Sequence, residues 1–233
     1  MSRVLEKCVV KSYIYPALHD GPAGLDFQDQ YAFRPSGSTT AALVSLKHTV
    51  LSLLGTNQHV RVIALDFSKA FDTVRHGELF SKLSKMNFSD AVYNWMQDFY
   101  SGRSYCTKYG GDISQLAAIL ASVVQGSSLG PASFILTTAD LQPVHDGNRI
   151  LKYADDTYLV VPEVNEHTCE SELTHVYEWA ATNNLTLNCA KSKIAKKTCV
   201  LCEESAGEAH TTSDTVPWNS ACQKSRHSRC CGQ

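Results

Sequence analysis

Three aspartates stand at points in the chain where a carboxylate could do chemistry. Asp155 and Asp156 are adjacent in the stretch Lys152-Tyr153-Ala154-Asp155-Asp156-Thr157. Asp66 closes the apolar run Arg61-Val62-Ile63-Ala64-Leu65. Runs of strand type flank the acidic pair, 149–152 before it and 157–161 after it, so the pair is predicted at the tip of a hairpin. Neighbouring carboxylates at the end of apolar strands repel each other and lose hydration, which is unfavourable unless a cation or donors compensate. A divalent metal is the natural compensation. Two strand ends carrying three carboxylates can hold two Mg²⁺ ions about 4 Å apart for in-line phosphoryl transfer. Taken alone, Asp155-Asp156 also reads as a solvated turn, because Asp is a common turn former. The second acidic strand end at Asp66 is what favours the metal reading.

The elements that must position these residues follow from periodicity. Residues 4–18 predict a helix with Leu5, Val9 and Tyr13 on one face, stopping before Pro16. Residues 20–38 are turn-rich and carry the cluster Tyr31-Ala32-Phe33-Arg34, where Arg34 is either a surface charge or a bidentate phosphate contact. The spacing predicts a helix over Thr39–Leu54, capped by Ser38 or Thr39 and stopped by Gly55, with Leu43, Leu46, Val50 and Leu53 or Leu54 in the core. The strand ending at Asp66 comes next, then helices over 77–87 and 91–100 and a β-hairpin within 103–124. Gln125-Gly126-Ser127-Ser128-Leu129-Gly130-Pro131 opens a helix to about residue 141. That junction is either a plain strand-to-helix turn or a place where backbone N–H groups meet an anionic ligand. After the acidic hairpin, 166–183 predicts an amphipathic helix and 185–188 a strand. Residues 191–197 are dense in lysine and read as a solvated loop or a contact to phosphates. Strands and helices in this order give an α+β fold with helices on one face of a largely antiparallel sheet.

Bulk properties bound the remaining possibilities. A chain of 233 residues with 43% hydrophobic content suits one large domain. Its 21 basic and 23 acidic residues give a net charge of -2, which argues neither for nor against nucleic-acid binding. No apolar run approaches the ~20 residues that span a bilayer, so no membrane association is expected. Nine scattered cysteines and a first segment without signal-peptide shape predict an intracellular setting, nucleus or cytoplasm, and not secretion. From about residue 203 the composition shifts to Ser, Thr, Gly, Glu and His, and 203–233 is predicted to be a disordered tail. Cys199-x2-Cys202 with His210, Cys222 and His227 invites a zinc reading, but the later spacings match no ligand template.

Several of these stretches together resemble the reverse transcriptase domain of non-LTR (LINE-type) retrotransposons. Gln30-Tyr31-Ala32-Phe33-Arg34-Pro35-Ser36-Gly37-Ser38-Thr39 is similar to the fingers motif Q-x-G-F-R-x-x-x-S-T, with Ala32 in place of glycine. Residues 64–74 resemble the first palm motif, 125–131 the second, with Val124 where proline is usual, and Tyr153-Ala154-Asp155-Asp156 the metal-binding box. The resemblance implies a polymerase palm with partial fingers over 1–202, without a thumb. It implies an RNA-directed DNA polymerase that adds dNTPs to a DNA primer on an RNA template, using two Mg²⁺ ions or Mn²⁺. By the same resemblance Asp66 and Asp155 are the principal metal ligands, Asp156 lies adjacent, and the carbonyl of Phe67 adds an oxygen. Phe71 would exclude a 2′-hydroxyl by bulk. Gln125 and Gly126 would lie against the incoming nucleotide, Arg34 would reach phosphate or template, and Lys191 would donate a proton to pyrophosphate. A truncated, non-catalytic remnant that binds RNA or a protein is the alternative expectation. Oligomeric state has no signature in the sequence.

Overall fold

The computed structural model describes residues 2–19, 21–124, 126–188 and 192–198. Gln125, Lys191, the Cys199-x2-Cys202 spacing and the expected tail after residue 203 lie outside the described residues.

A four-stranded antiparallel sheet carries the fold. Its strands are β1 (His59–Leu65), β7 (Arg149–Tyr153), β8 (Asp156–Pro162) and β10 (Lys193–Thr198), in the order β10-β1-β8-β7. β1 and β8 are central, with Val60 opposite Pro162 and Leu65 opposite Thr157. The pleat divides their side chains. Ile63, Leu65, Ile150, Leu159 and Val161 enter the main core, while Val60, Leu151 and Val160 form a smaller cluster. Phe67–Ser68 (β2) pairs with Thr186–Leu187 (β9) as a separate two-stranded antiparallel sheet.

The main core is closed by a bank of helices: α4 (His76–Leu83), α5 (Asp90–Tyr100), α6 (Leu129–Thr138) and α7 (Cys169–Thr182). They contribute Leu79, Leu83, Val92, Met96, Phe134, Leu136, Val176 and Trp179. This is the α+β arrangement expected from the order of elements, with these four helices on one face of the antiparallel sheet. A further helix, α2 (Thr39–Leu54), lies over the smaller cluster with Leu46, Val50, Leu53 and Leu54 partly buried against it. Ser38 caps it, its Oγ accepting from Ala41 N at 3.0 Å. Leu43 is 61% exposed, against the expectation that it belongs to the core. Helical period identifies a stripe, but the sheet beneath covers only one part of it.

The first helical stretch, α1, runs over Ser2–Val9 and continues through a π turn at Val10–Ile14 into Tyr15–Ala17. It therefore passes through Pro16 instead of stopping before it. The wide turn just ahead of the proline accommodates a ring nitrogen that cannot donate into the helical ladder. The buried face is Glu6, Val10, Ile14 and Leu18, one position on from the predicted stripe, and Leu5 and Tyr13 point outward.

Other boundaries differ by a few residues. The predicted helix 77–87 is observed as His76–Leu83, and 166–183 begins as a 3₁₀ segment, Glu163–Thr168, before α7. Within 103–124 the predicted hairpin forms, with Ser104–Tyr105 (β3) paired to Ala117–Ala118 (β6) and Lys108–Tyr109 (β4) to Asp112–Ile113 (β5). The lysine-rich stretch expected as a loop is instead strand β10, paired with β1 from His59↔Thr198 to Ala64↔Lys193. The free edge of β1 needs partners for its N–H and C=O groups, and that need outweighs the charge density of the segment.

Two buried ion pairs sit among these layers. Lys82 of α4 donates to Asp140 Oδ1 at 2.6 Å and to Asn183 Oδ1 at 2.8 Å. Lys152 of β7, 1% exposed, pairs with Asp29 Oδ2 at 2.8 Å and donates to the Thr138 carbonyl at 2.8 Å. Burial lowers the proton affinity of Lys152 and raises that of Asp29, and their mutual attraction offsets this only in part. Fully buried Glu172 fastens the loop leading into β7, accepting from Val144 N at 3.0 Å, His145 N at 2.8 Å and Asn148 Nδ2 at 2.8 Å.

Candidate active site

The register of the central strands brings the distant acidic stretches together. Leu65 pairs with Thr157 as the last rung between β1 and β8, so the next residue along each strand is Asp66 on one side and Asp156 on the other. Tyr153 pairs with Asp156, which leaves Ala154 and Asp155 as a two-residue hairpin tip. The hairpin predicted around the acidic pair is therefore present.

Asp66 is fixed through its backbone. Its carbonyl accepts from Asn188 N at 2.7 Å and its N–H donates to Ser192 Oγ at 3.4 Å, while Phe67 pairs with Leu187. Its side chain is not similarly provided for. Asp66 Oδ2 is buried and has no hydrogen-bond partner within the protein. Buried polar atoms are almost always partnered; Asp29 Oδ1 shares this condition beside the Lys152 ammonium, whereas Asp66 Oδ2 lies at a strand end next to further carboxylates, where a cation would supply the partner. Asp156 has its carboxyl held above the usual range by partial burial and then by the charges of Asp155 and Asp66. The Asp156 carboxyl thus lies within the field of both Asp155 and Asp66.

That donor set suits a hard divalent cation. The available atoms are carboxylate oxygens, with no thiolate or imidazole nearby in sequence. Among the described residues no group of three or more His, Cys, Asp or Glu side chains is placed to hold a metal ion by itself. Mg²⁺ does not need one, since it keeps waters and is commonly held by one or two carboxylates together with substrate phosphates.

The other predicted residues are distributed as follows. Phe71 lies on the short helix α3 (Ala70–Thr73) and is partly buried, its ring stacked on Phe134 at 4.3 Å and meeting Phe33 edge-on at 6.0 Å. Its carbonyl accepts from Val123 N at 2.9 Å, which joins α3 to the segment leading toward Gly126. Gly126 has φ of 78°, and a Cβ added there would meet nothing within 4 Å, so the demand for glycine is purely one of backbone conformation. The start of α6 is already occupied by the protein's own groups. Glu6 Oε2 accepts from Ser128 N at 3.1 Å, and Ser127 Oγ accepts from Gly130 N at 2.8 Å. Those two N–H groups therefore already have acceptors within the protein. Arg34 is half-buried, and its Nη1 donates to the carbonyls of Phe27 and Gln30.

Sequence reasoning missed Gln30 as a structural contact of the hairpin. It is 2% exposed, and its side chain bonds both backbone groups of Ala154. Sequence reasoning also missed the Asp29–Lys152 pair. A lysine in the middle of the strand-type run Ile150-Leu151-Lys152-Tyr153 is the signal that could have revealed it.

A family described as "Reverse transcriptase (RNA-dependent DNA polymerase)" matches residues 1–213. Among curated relatives, the chain is 28% identical over 177 residues to the RNA-directed DNA polymerase from mobile element jockey of Drosophila funebris, covering 70% of this chain and 19% of that protein. It is 25% identical over 177 residues to a probable RNA-directed DNA polymerase from transposon X-element of Drosophila melanogaster, covering 72% and 19%. The chain thus spans about a fifth of the length of these relatives. Among solved structures it is similar in fold to telomerase from Candida tropicalis in complex with a fragment of telomeric RNA. That match has a TM-score of 0.64 at 12% identity and covers 91% of this chain and 35% of that one. The apo form of the same telomerase gives a TM-score of 0.61, also at 12% identity, over 85% of this chain and 37% of that one.

Proposed function

Because the chain belongs to the reverse transcriptase (RNA-dependent DNA polymerase) family, we propose that Asp66, Asp155 and Asp156 form the centre of an RNA-directed DNA polymerase acting by two-metal nucleotidyl transfer. The observation that carries this reading is the buried, unpartnered Oδ2 of Asp66 in the same field as the Asp155-Asp156 tip. Asp66 and Asp155 would hold Mg²⁺, or Mn²⁺ in its place, with Asp156 adjacent and the Phe67 carbonyl as a further oxygen. When bound, the two ions lower the pKa of a primer 3′-hydroxyl and neutralise charge growing on the triphosphate.

The protein's own residues then have positioning tasks. Phe71, held by its stack on Phe134, presents a rigid bulk where a ribose 2′-hydroxyl would sit and so favours dNTPs. Gln125 and Gly126 approach the incoming nucleotide, the glycine allowing close passage of backbone. Arg34 uses only Nη1 in its two described bonds, and its remaining donors suit a phosphate of template or substrate. Lys191 serves as the proton donor to departing pyrophosphate. The partners are an RNA template, a DNA primer and dNTPs, and the setting is the nucleus or cytoplasm.

Extension of an oligo-dT primer on poly-rA with Mg²⁺ tests the proposal. Extension by the parent chain that falls to background in Asp155→Ala supports it. Equal extension by the two proteins removes Asp155 from the centre. No extension by a folded, metal-binding parent favours a non-catalytic remnant.

A further inference from the structure

A strap of chain ahead of α2 runs beside the edge of β7 and extends the sheet by one short parallel bridge at Gln30↔Lys152. Lys152 N donates to the Asp29 carbonyl at 2.7 Å, and Tyr31 N donates to the Lys152 carbonyl at 2.9 Å. Beyond Lys152 the backbone of β7 turns into the hairpin, and a side chain takes over the pairing. Gln30 Oε1 accepts from Ala154 N at 3.0 Å and from Ala32 N at 2.9 Å, and Gln30 Nε2 donates to the Ala154 carbonyl at 3.4 Å. One amide thereby engages both polar backbone groups of Ala154, 124 residues away in sequence.

Ala154 needs such a partner for two reasons. It is 8% exposed, so at a hairpin tip that would ordinarily be solvated its N–H and C=O have little access to water. It also has φ of 56°, a left-handed conformation that is unfavourable for a residue with a Cβ and persists only where surrounding contacts over-determine it. Asp155 and Asp156 follow directly, so any rotation at Ala154 swings both carboxylates relative to Asp66. Arg34 closes the strap from the other side by donating to the Gln30 carbonyl at 3.2 Å.

We infer that Gln30 is the positioning residue of the Asp155-Asp156 tip: its side-chain amide sets the backbone of Ala154 and thereby the placement of both carboxylates against Asp66. This rests on the reading of those carboxylates as a metal site. In this role Gln30 acts through the backbone of Ala154 and is not itself a metal ligand.

The test uses the full 233-residue chain and two readouts that need no turnover, amide hydrogen exchange at Ala154 and Mn²⁺ affinity by electron paramagnetic resonance titration. Gln30→Met keeps the length and removes all three bonds. It is expected to speed exchange at Ala154 by about tenfold or more while Ile63 and Leu159 keep parental protection. It is expected to weaken Mn²⁺ binding by about 10–100-fold, the range for a lost supporting contact behind a metal ligand. Gln30→Glu retains the two shorter acceptor bonds and is expected to keep Ala154 protected, which gives a second arm should the Met variant not fold. Parental Ala154 exchange and parental Mn²⁺ affinity in folded Gln30→Met overturn the inference, as does loss of protection at Ala154 in Gln30→Glu. A loss of protection in Gln30→Met spread evenly over Ile63, Leu159 and Ala154 also overturns it, because that is general destabilisation. If the parent binds no Mn²⁺ while Ala154 stays protected only with Gln30, the metal-site reading fails and the clamp on Ala154 stands.

Discussion

Replacement of Lys152 by Met exposes how strongly the strand beneath the acidic tip depends on a buried charge. In the parent the Lys152 ammonium is 1% exposed and has two partners, Asp29 Oδ2 at 2.8 Å and the Thr138 carbonyl at 2.8 Å. Asp29 Oδ1 already has no partner, so removal of the ammonium leaves the carboxylate with only the Gln142 amide at 3.1 Å. Breaking one side of a buried pair costs about 3–5 kcal/mol, because the remaining charge is uncompensated. For a domain of this size about 1 kcal/mol corresponds to about 2–4 °C, so Tm should fall by roughly 6–20 °C. The sign of the pH dependence follows from Asp29. Burial raises its folded pKa above the unfolded value near 3.9, and loss of Lys152 raises it further. Such a group destabilises the fold at neutral pH, and the penalty is relieved as pH falls through the raised folded value and the carboxyl takes up a proton. The deficit against the parent should therefore shrink as pH falls from neutral toward the unfolded value. The double variant Asp29→Leu with Lys152→Met should recover most of the loss, since an apolar replacement of both partners is close to neutral. Chemical denaturation with circular dichroism measures all three proteins. A Lys152→Met protein within 1 kcal/mol of the parent, or a double variant no better than the single, would refute the reasoning.

Three further outcomes follow from the same contacts. Asp66→Asn leaves a neutral polar atom at the unpartnered position but removes one of the charges acting on Asp156; without metal it should be about 1 kcal/mol more stable than the parent, the worth of about one pKa unit of repulsion. With Mg²⁺ at a hundredfold its Kd the order should reverse, as the parent gains about 2.7 kcal/mol that the variant lacks; equal metal-induced shifts in Tm would count against the site. Glu172 is pushed up by burial, but bonds from Asn148, Val144 and His145 outweigh this and hold its pKa below the usual value. Its contribution is present above the unfolded pKa near 4.3 and is lost as pH falls through the lower folded value. Glu172→Gln should thus flatten stability against pH in that acidic window and cost about 1–3 kcal/mol at neutral pH, which denaturation at a series of pH values will show. Phe71→Val should admit ribonucleotides in primer extension and cost about 1 kcal/mol from the lost stack on Phe134; unchanged discrimination between dNTP and rNTP removes Phe71 from that role.

The acidic residues were legible because each stands where an apolar run ends, and runs of that kind report strand termini directly. The register that sets Asp66 beside Asp156 comes from the pairing of Leu65 with Thr157, which no local pattern in the sequence announces. What the sequence concealed were contacts between segments. Gln30 and Ala154 carry no local pattern linking them, since a buried amide on a left-handed alanine is decided by the path of the strap over β7. The lysines at 193–197 suggested solvent, whereas the backbone of Lys193–Thr198 is fixed by the open edge of β1. Leu43 and the Glu6, Val10, Ile14, Leu18 face show the same division. Period announces a helix, but the depth and phase of its burial depend on what covers it.

The account depends on carboxylates from Asp66 and Asp155 sharing a divalent cation. Anomalous diffraction from crystals of the chain with Mn²⁺, an RNA–DNA primer–template and a dNTP locates that cation directly. The account predicts an anomalous peak within about 2–2.5 Å of an oxygen of both residues, the distance of a hard divalent ion from its ligands. A peak bound elsewhere, with Asp66 Oδ2 still unpartnered, would contradict it.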